Sequence, residues 1–157
     1  MVVPEQTGSE MADASVESEA KRDSSSGDTL AAGLGDIEVR LPASPTHLPV
    51  VRALAADLAV RLDYDLDEVS DLRMAVDEAC AEVVALSGPS TRLTCLFRVD
   101  PDALSVTVSA PTGRGEVKRG TFGWQVLTAL VDEVDTWATD DGVTCVRLVK
   151  RHPGNLG

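Results

Sequence analysis

The order and periodicity of its segments predict that this chain is a two-layer α/β sandwich, with a mixed, mostly antiparallel sheet and the helices on one face. Apolar residues recur at helical spacing in three segments and alternate with polar residues in five others. The predicted order is strand, helix, helix, strand, strand, loop, helix, strand, strand, with short turns inside two strand pairs. Such an order gathers antiparallel strands into one layer and the helices into a second.

Length and charge limit the classes of function. The chain has 157 residues, with 14 Lys and Arg against 26 Asp and Glu, and a net charge of -12. The length fits one domain plus tails. A surface this acidic repels phosphate backbones, so we expect no direct nucleic-acid binding and a preference for basic protein partners. Neither a spanning apolar run nor a signal peptide is evident, so we expect a cytoplasmic protein without membrane attachment.

The composition divides the chain into a tail, a domain and a second tail. Residues 1–35 are rich in Ser, Gly, Ala and acidic residues without periodicity, which predicts a disordered acidic tail. The true start can be Met1 or Met11. We expect the ordered domain to span 36–151 and a C-terminal tail to span 152–157.

The first strand and helix follow from simple patterns. In DIEVRL, the side chains of Ile37, Val39 and Leu41 fall on one face, which predicts an edge or half-buried strand. The next segment is helical, and Pro49 is tolerated only in the first turn of a helix. The N-cap is therefore expected within Ser44 to Thr46. The apolar stripe of this helix is Leu48, Val51, Leu54, Ala55, Leu58 and Leu62.

The second helix, centred on DLRMAVDEACAEVV, is the element around which the domain is organised. Asp65 and Glu68 fit a capping box at its start, and Gly88-Pro89 ends it. One stripe faces the core: Val69, Leu72, Val76, Ala79, Cys80, Val83 and Leu86. A second line on the adjacent flank consists of Asp71, Met74, Ala75, Glu78 and Glu82, which places two carboxylates one turn apart beside a cleft.

The second half of the domain contains four strands, a loop and a helix. Segments 92–99 and 103–110 alternate as strands around Asp100-Pro101-Asp102. The stretch PTGRGEVKRGTFG, rich in glycine and basic residues, predicts a mobile loop. A helix over 124–134 is expected to pack Trp124, Leu127, Leu130, Val131 and Val134, before a hairpin of 135–139 and 143–149.

Cysteine and histidine positions predict no metal cluster. Cys80, Cys95 and Cys145 lie inside predicted elements among apolar residues, which is typical of buried thiols in a reducing compartment. Redox sensing by Cys80, beside the carboxylate flank, is the alternative. His47 and His152 are far apart and have no metal-ligand spacing.

Two motifs, LRMAVDEAC and FGWQVLTALVDEV, carry a family resemblance. From about Asp36 to Lys150 the chain resembles the anti-sigma regulatory kinases of the RsbW and SpoIIAB type, within the GHKL (Bergerat-fold) ATPases. It is most similar to the sigma-F antagonist branch called UsfX. The first motif is similar to one in which a helical Glu precedes, by four residues, an Asn that holds magnesium. The second is similar to the family's later glycine motif and its helix.

The resemblance implies the cofactors and the residues that would hold them. ATP and Mg²⁺ are the implied cofactors. Glu78 matches the family's catalytic Glu, and Glu82 stands at the Asn position, so this pair would hold Mg²⁺. The implied nucleotide-binding set is Glu78, Glu82, Gly113, Arg114, Gly115, Arg119, Thr121 and Gly123, with Lys118 as a further cation of the loop.

The departures from the family pattern predict a weakened nucleotide site. Where the family has Asp-x-Gly, whose Asp binds the adenine amino group, this chain has Ser109-Ala110-Pro111-Thr112. Glu82 replaces Asn, Thr121 replaces a glycine, and the lid is short. A lost hydrogen bond costs about 1–3 kcal/mol, and an extra carboxylate repels phosphate, so affinity is expected to fall by about a hundredfold or more.

The main functional expectation is an anti-sigma factor with a degenerate nucleotide pocket. It would sequester an alternative, sigma-F- or sigma-B-like factor until a STAS-domain anti-anti-sigma factor releases it, by competition or through thiol state. The alternative is an active ATP-dependent serine/threonine kinase that phosphorylates the STAS antagonist, with Glu78 as general base. The family also implies a homodimer. Its expected surface is the strand Asp36 to Leu41 with the start of the first helix, because an unpaired edge strand invites pairing.

Overall fold

The structure, a computed structural model, describes residues 34–152. The predicted N-terminal tail up to residue 33 and the segment 153–157 lie outside the described residues. Eight helices and strands make up the described part: β1 (Asp36–Pro42), α1 (Leu48–Arg61), α2 (Leu66–Leu86), β2 (Arg92–Val99), β3 (Ala103–Pro111), α3 (Phe122–Leu130), β4 (Glu133–Ala138) and β5 (Val143–Arg151). A 3₁₀ turn, Pro45–His47, precedes α1 and is capped by Ser44. The N-cap of α1 itself is His47, one residue beyond the predicted range, because this turn stands between Ser44 and the α-helix.

The five strands form one sheet in the order β1-β2-β3-β5-β4. Every pairing among the described strands is antiparallel, so the parallel pair that a mixed sheet would contain does not occur in this part of the chain. Helix α2 packs on β3 and β5 and is flanked by α1 and α3. The predicted two-layer α/β sandwich is confirmed, and β1 lies at one edge of the sheet as expected.

Helix α2 begins where the sequence predicts. The Asp65 carboxylate accepts a hydrogen bond from the Glu68 N–H at 2.9 Å, and the Glu68 carboxylate accepts one from the Asp65 N–H at 3.2 Å. This reciprocal pair satisfies two of the donors that a helix start leaves unpaired. At the other end, the Ser87 hydroxyl donates to the Val83 carbonyl at 2.9 Å. The buried residues of the helix, from Leu72 to Val83, lie between these two ends.

The buried face of α2 is wider than the sequence predicted. Ala75, expected on the flank with the two glutamates, is fully buried, whereas Met74 is 51% exposed. The reason is that α1 and α3 both pack against α2, so a second line of small residues is covered as well as the predicted stripe. The assignment of Ala75 to the flank is wrong. Asp71, Glu78 and Glu82 remain at the edge of the covered face.

The predicted end of the third helix is wrong. Helix α3 stops at Leu130, and Val131 already has an extended backbone with φ −130° and ψ 169°. Val134, expected on the helix, lies in β4 opposite Leu148 of β5. β-Branched residues favour strands, and pairing with β5 gives Glu133–Ala138 a partner that a longer helix would forgo. The hairpin turn is as predicted, and Gly142 adopts φ +85° in it.

The core contains the three cysteines and one buried tyrosine. Cys80, Cys95 and Cys145 are buried, which confirms that expectation. A hydrogen bond with Cys95 and burial raise the pKa of the Cys80 thiol, which lowers its thiolate fraction and its reactivity. The Tyr64 hydroxyl donates to the Lys150 carbonyl at 2.6 Å and accepts from the Leu104 N–H at 3.1 Å. Burial raises the pKa of Tyr64 to about 12, so this link stays protonated at neutral pH.

Candidate functional site

The two glutamates of α2 lie against the first turn of α3. A Cβ atom added to Gly123 would overlap Oε1 of both Glu78 and Glu82, and it would lie 3.2 Å from Cδ of Glu82. The backbone of α3 can approach α2 this closely only because Gly123 has no side chain. The structure therefore brings together three of the site residues named from the sequence.

The environment of Glu82 favours its neutral form. Burial raises the pKa of Glu82, and the hydrogen bond to Glu78 and the repulsion between the two carboxylates raise it further. The Glu82 carboxyl therefore keeps its proton to higher pH than an isolated glutamate does. The pair is half-buried between α2 and the start of α3.

We tested whether this arrangement fits a magnesium-bound nucleotide. Carboxylate oxygens suit Mg²⁺. Within residues 34–152 no group of three or more acidic, His or Cys side chains is placed to hold a metal ion by itself, but a nucleotide-bound Mg²⁺ needs only one or two carboxylates beside the phosphates, so the space available decides the fit. The carboxyl oxygens of Glu78 and Glu82 fill the space beside Gly123 in the first turn of α3, and a helix start is where a phosphate would bind. The residues in this arrangement do not fit a magnesium-bound triphosphate.

The first half of the glycine-rich loop is fastened to the hairpin of β4 and β5. The Gly113 N–H donates to the Gly142 carbonyl at 2.9 Å, and the Arg114 N–H donates to the Thr112 hydroxyl at 3.1 Å. The Thr144 hydroxyl donates to the Gly115 carbonyl and is hydrogen-bonded to the Thr112 hydroxyl. Gly113 and Gly115 have φ +68° and +83°, values that favour glycine. These two glycines therefore serve the backbone path of the loop.

The second half of the loop is fastened to β4. Val117 is buried, and its N–H donates to the Thr136 hydroxyl at 3.3 Å. The Arg119 guanidinium donates to Asp135 at 2.9 Å and to the Thr136 carbonyl at 3.0 Å, and it lies 5.2 Å from the centre of the Trp124 ring. The charge of Arg119 is thus directed to β4 and not to the glutamate pair. The loop, predicted to be mobile, is anchored along its length.

Two positions that depart from the family pattern have local structural partners. Thr121 caps α3: its hydroxyl accepts from the Trp124 N–H at 3.1 Å and donates to the Lys118 carbonyl at 3.3 Å. Ala110 lies buried on β3 directly opposite Thr144 of β5 and offers no side-chain acceptor. Arg114 and Lys118 are exposed at the surface of the loop.

The threonines that hold the loop were not among the site residues predicted from the sequence. Thr136 and Thr144 are buried polar residues, and Thr112 bonds to Thr144 across the sheet. Their signal in the sequence is a polar residue at an inward position of a strand, which requires a hydrogen-bond partner when buried. This pattern predicts that the threonine needs a hydrogen-bond partner, but it does not predict which residue is the partner.

The contact between Arg119 and Asp135 gives a direct prediction. The hydrogen bond from Arg119, followed by the one from the Thr136 N–H, lowers the pKa of Asp135. Replacing Arg119 with glutamine is expected to raise the pKa of Asp135 toward its ordinary value. An NMR titration that follows the side-chain carboxyl carbon of Asp135 measures this pKa. Arg114→Gln, which removes an exposed cation from the same loop, is the matched control and should leave the pKa of Asp135 unchanged. If the pKa of Asp135 were the same in Arg119→Gln and Arg114→Gln, the contact between Arg119 and Asp135 would be contradicted.

Comparison with known proteins identifies the family. Residues 41–150 match the histidine kinase-like ATPase domain. The chain belongs to this family. Membership suggests ATP binding.

The relatives agree with the resemblance derived from the motifs. The chain is 34% identical over 106 residues to the anti-sigma-F factor RsbW of Mycobacterium tuberculosis (strain ATCC 25618 / H37Rv), covering 67% of this chain and 63% of that protein. It is 27% identical over 132 residues to the serine-protein kinase RsbW of Bacillus pumilus (strain SAFR-032), and this match covers 69% of this chain and 81% of that protein. The predicted resemblance to RsbW proteins is confirmed. The match spans less than two thirds of the length of the mycobacterial relative.

A solved structure supports the fold. The crystal structure of the RsbU and RsbW domains of a Mycobacterium tuberculosis protein superposes with a TM-score of 0.55 at 19% identity, covering 74% of this chain and 32% of that one. At this identity the likeness bears on architecture alone. No helix within 34–152 is long and apolar enough to cross a bilayer.

Proposed function

We propose that this protein is an anti-sigma factor that binds an alternative sigma factor of the sigma-F or sigma-B type and keeps it from RNA polymerase. The observation that carries the proposal is the 34% identity to a relative named anti-sigma-F factor RsbW, within a family match over most of the domain. In this proposal a STAS-domain anti-anti-sigma factor releases the sigma factor. The site of action is the cytoplasm, where sigma factors meet RNA polymerase.

The charge of the helical layer supports a basic partner. Asp63, Asp65 and Asp67 are exposed between the end of α1 and the start of α2. Clustered exposed carboxylates raise the encounter rate with a basic surface and disfavour an acidic one. A homodimer remains part of the proposal, with the β1 edge and the start of α1 as its surface.

An active kinase is the second candidate, since several relatives carry the name serine-protein kinase RsbW. In that case Glu78 is the general base toward the hydroxyl of the STAS antagonist. The observations against turnover are the position of the Glu78 and Glu82 carboxyl groups against Gly123, the absence of an acceptor at Ala110, and the engagement of Arg119 by Asp135. We therefore propose a degenerate pocket and control by competition between partners.

The test is binding and transcription with purified components. The full chain is titrated into sigma-F- and sigma-B-type factors of its own cell, and run-off transcription by the corresponding holoenzyme is measured. We expect a stoichiometric complex and loss of sigma-dependent transcripts, both reversed by the STAS antagonist without nucleotide. Absence of a complex with every alternative sigma factor would refute the proposal.

The kinase alternative has its own measurement in the same mixture. Incubation of the STAS antagonist with the full chain and Mg-ATP is expected to leave the antagonist unphosphorylated by mass spectrometry. Phosphorylation that disappears in Glu78→Gln would establish the kinase and overturn control by competition alone.

A further inference from the structure

We infer that Glu78 and Glu82 form a built-in anion that occupies the phosphate side of the nucleotide site at the start of α3. The inference rests on the proposed function, because it gives the degenerate pocket a physical cause. The acidic pair takes the place of the phosphate, and Gly123, which has no side chain, leaves room for the two carboxyl groups.

The start of α3 is a place where an anion is stabilised. The first N–H groups of a helix have no acceptor within the helix, and the helix dipole places positive potential there. In α3, the Trp124 N–H is satisfied by the capping hydroxyl of Thr121. The backbone of the first turn at Gly123 faces the carboxyl oxygens of α2. Two acidic side chains of the chain itself thus lie next to the start of α3, the part of a helix that binds phosphate in other proteins.

The charge of the pair matches this role. Both side chains are acidic, and a carboxyl oxygen of each lies beside Gly123. A phosphate approaching Gly123 has the same sign and meets an occupied surface. The guanidinium of Arg119, at the end of the loop, is bound to Asp135 and does not neutralise the pair. An anionic ligand must therefore displace both carboxyl groups before it reaches the helix start.

Space, and not backbone freedom, explains the glycine at position 123. Gly123 lies outside the set of described glycines with positive φ, so an alanine there meets no backbone strain. The atoms that an added Cβ would overlap belong to Glu78 and Glu82. This distinguishes Gly123 from Gly113 and Gly115, whose positive φ values favour glycine with no neighbour within 4 Å of an added Cβ.

The first experiment measures ligand binding by the full chain. Mg-ATP and magnesium tripolyphosphate are titrated calorimetrically into the wild type and Glu82→Gln, which keeps the length of the side chain and removes its charge. We expect the variant to bind both ligands about tenfold or more tightly than the wild type, a difference of roughly 1.4 kcal/mol. Asp67→Asn removes one carboxylate from the exposed first turn of the same helix and should change neither affinity. Equal affinities of wild type and Glu82→Gln would overturn the inference.

The second experiment tests the contact without any ligand. Gly123→Ala is made in the wild type and in the Glu78→Ala/Glu82→Ala background, and urea unfolding is measured. Because contacting residues couple, the loss caused by Gly123→Ala should largely disappear in that background. Gly120→Ala is the control, since a Cβ there meets nothing within 4 Å and its effect should be small in both backgrounds. Equal losses in both backgrounds would show that the carboxyl groups are not what Gly123 accommodates.

Sigma binding by the same variants separates this inference from the proposed function. Wild type and Glu82→Gln should bind the sigma factor equally, because the pair closes a pocket and is not the docking surface. If no sigma factor binds while Glu82→Gln gains affinity for tripolyphosphate, the proposed function fails and the role of the glutamate pair stands. If the sigma factor binds and Glu82→Gln gains no affinity for tripolyphosphate, the proposed function stands and the role of the glutamate pair fails.

Discussion

Replacing Phe97 with alanine is expected to lower the free energy of unfolding by about 3–5 kcal/mol, the usual loss for a buried aromatic residue truncated to alanine. Phe97 lies on β2, is fully buried, and heads the set of largest buried side chains. It stands opposite Ile37 of β1 on one side and Val106 of β3 on the other. Urea unfolding of the full chain measures the loss.

The matched control for Phe97 is the same change at Phe122. Phe122 is 79% exposed at the start of α3, so truncating it removes little buried area and should alter the free energy of unfolding by at most about 0.5 kcal/mol. A loss below about 1 kcal/mol for Phe97→Ala, or losses of similar size at the two positions, would contradict the central place of Phe97 in the core.

The elements predicted well are those whose signals are local. Asp65 and Glu68 are three residues apart, and both halves of their capping box form within one helical turn. The alternation in β2 and β3 around Asp100-Pro101-Asp102 likewise needs only neighbours in the chain. Short-range physics therefore determined most boundaries and the two-layer architecture.

The errors arose where distant packing decides. Ala75 looks neutral in the sequence, and it is buried because α1 and α3 both cover α2. The valines at positions 131 and 134 satisfy a helical spacing as well as a strand propensity, and pairing of β4 with β5 settles the choice. Neither outcome can be derived from a window of neighbouring residues.

The sequence predicted which residues belong to the candidate site better than it predicted which of them are in contact. The i,i+4 spacing placed Glu78 and Glu82 together, and the family resemblance added Gly123, which the structure brings against both. The resemblance also suggested Arg119 as a ligand of phosphate, but its partner Asp135 lies sixteen residues away in a strand whose register the sequence did not reveal. Whether any of these residues binds nucleotide stays a prediction.

Replacing Thr144 with valine is expected to free the glycine-rich loop and to lower the free energy of unfolding by about 1–3 kcal/mol, because the buried Gly115 carbonyl and the Thr112 hydroxyl lose their partner. Valine keeps the shape of threonine, so the loss reports on hydrogen bonds and not on packing. Hydrogen exchange measures the loop directly: the amides of Arg114 and Val117 should exchange faster in the variant.

Thr107→Val makes the same chemical change on β3, opposite Arg147 on the partly exposed face of the sheet, and is expected to leave both the stability and the loop amides nearly unchanged. If Thr144→Val leaves loop exchange at the level of Thr107→Val, the threonine pair does not hold the loop, and the segment from Gly113 to Arg119 regains the mobility that its glycine content predicts. If exchange accelerates only in Thr144→Val, the loop is a fixed strap on the hairpin. A loop fixed in this way agrees with the degenerate pocket that we propose.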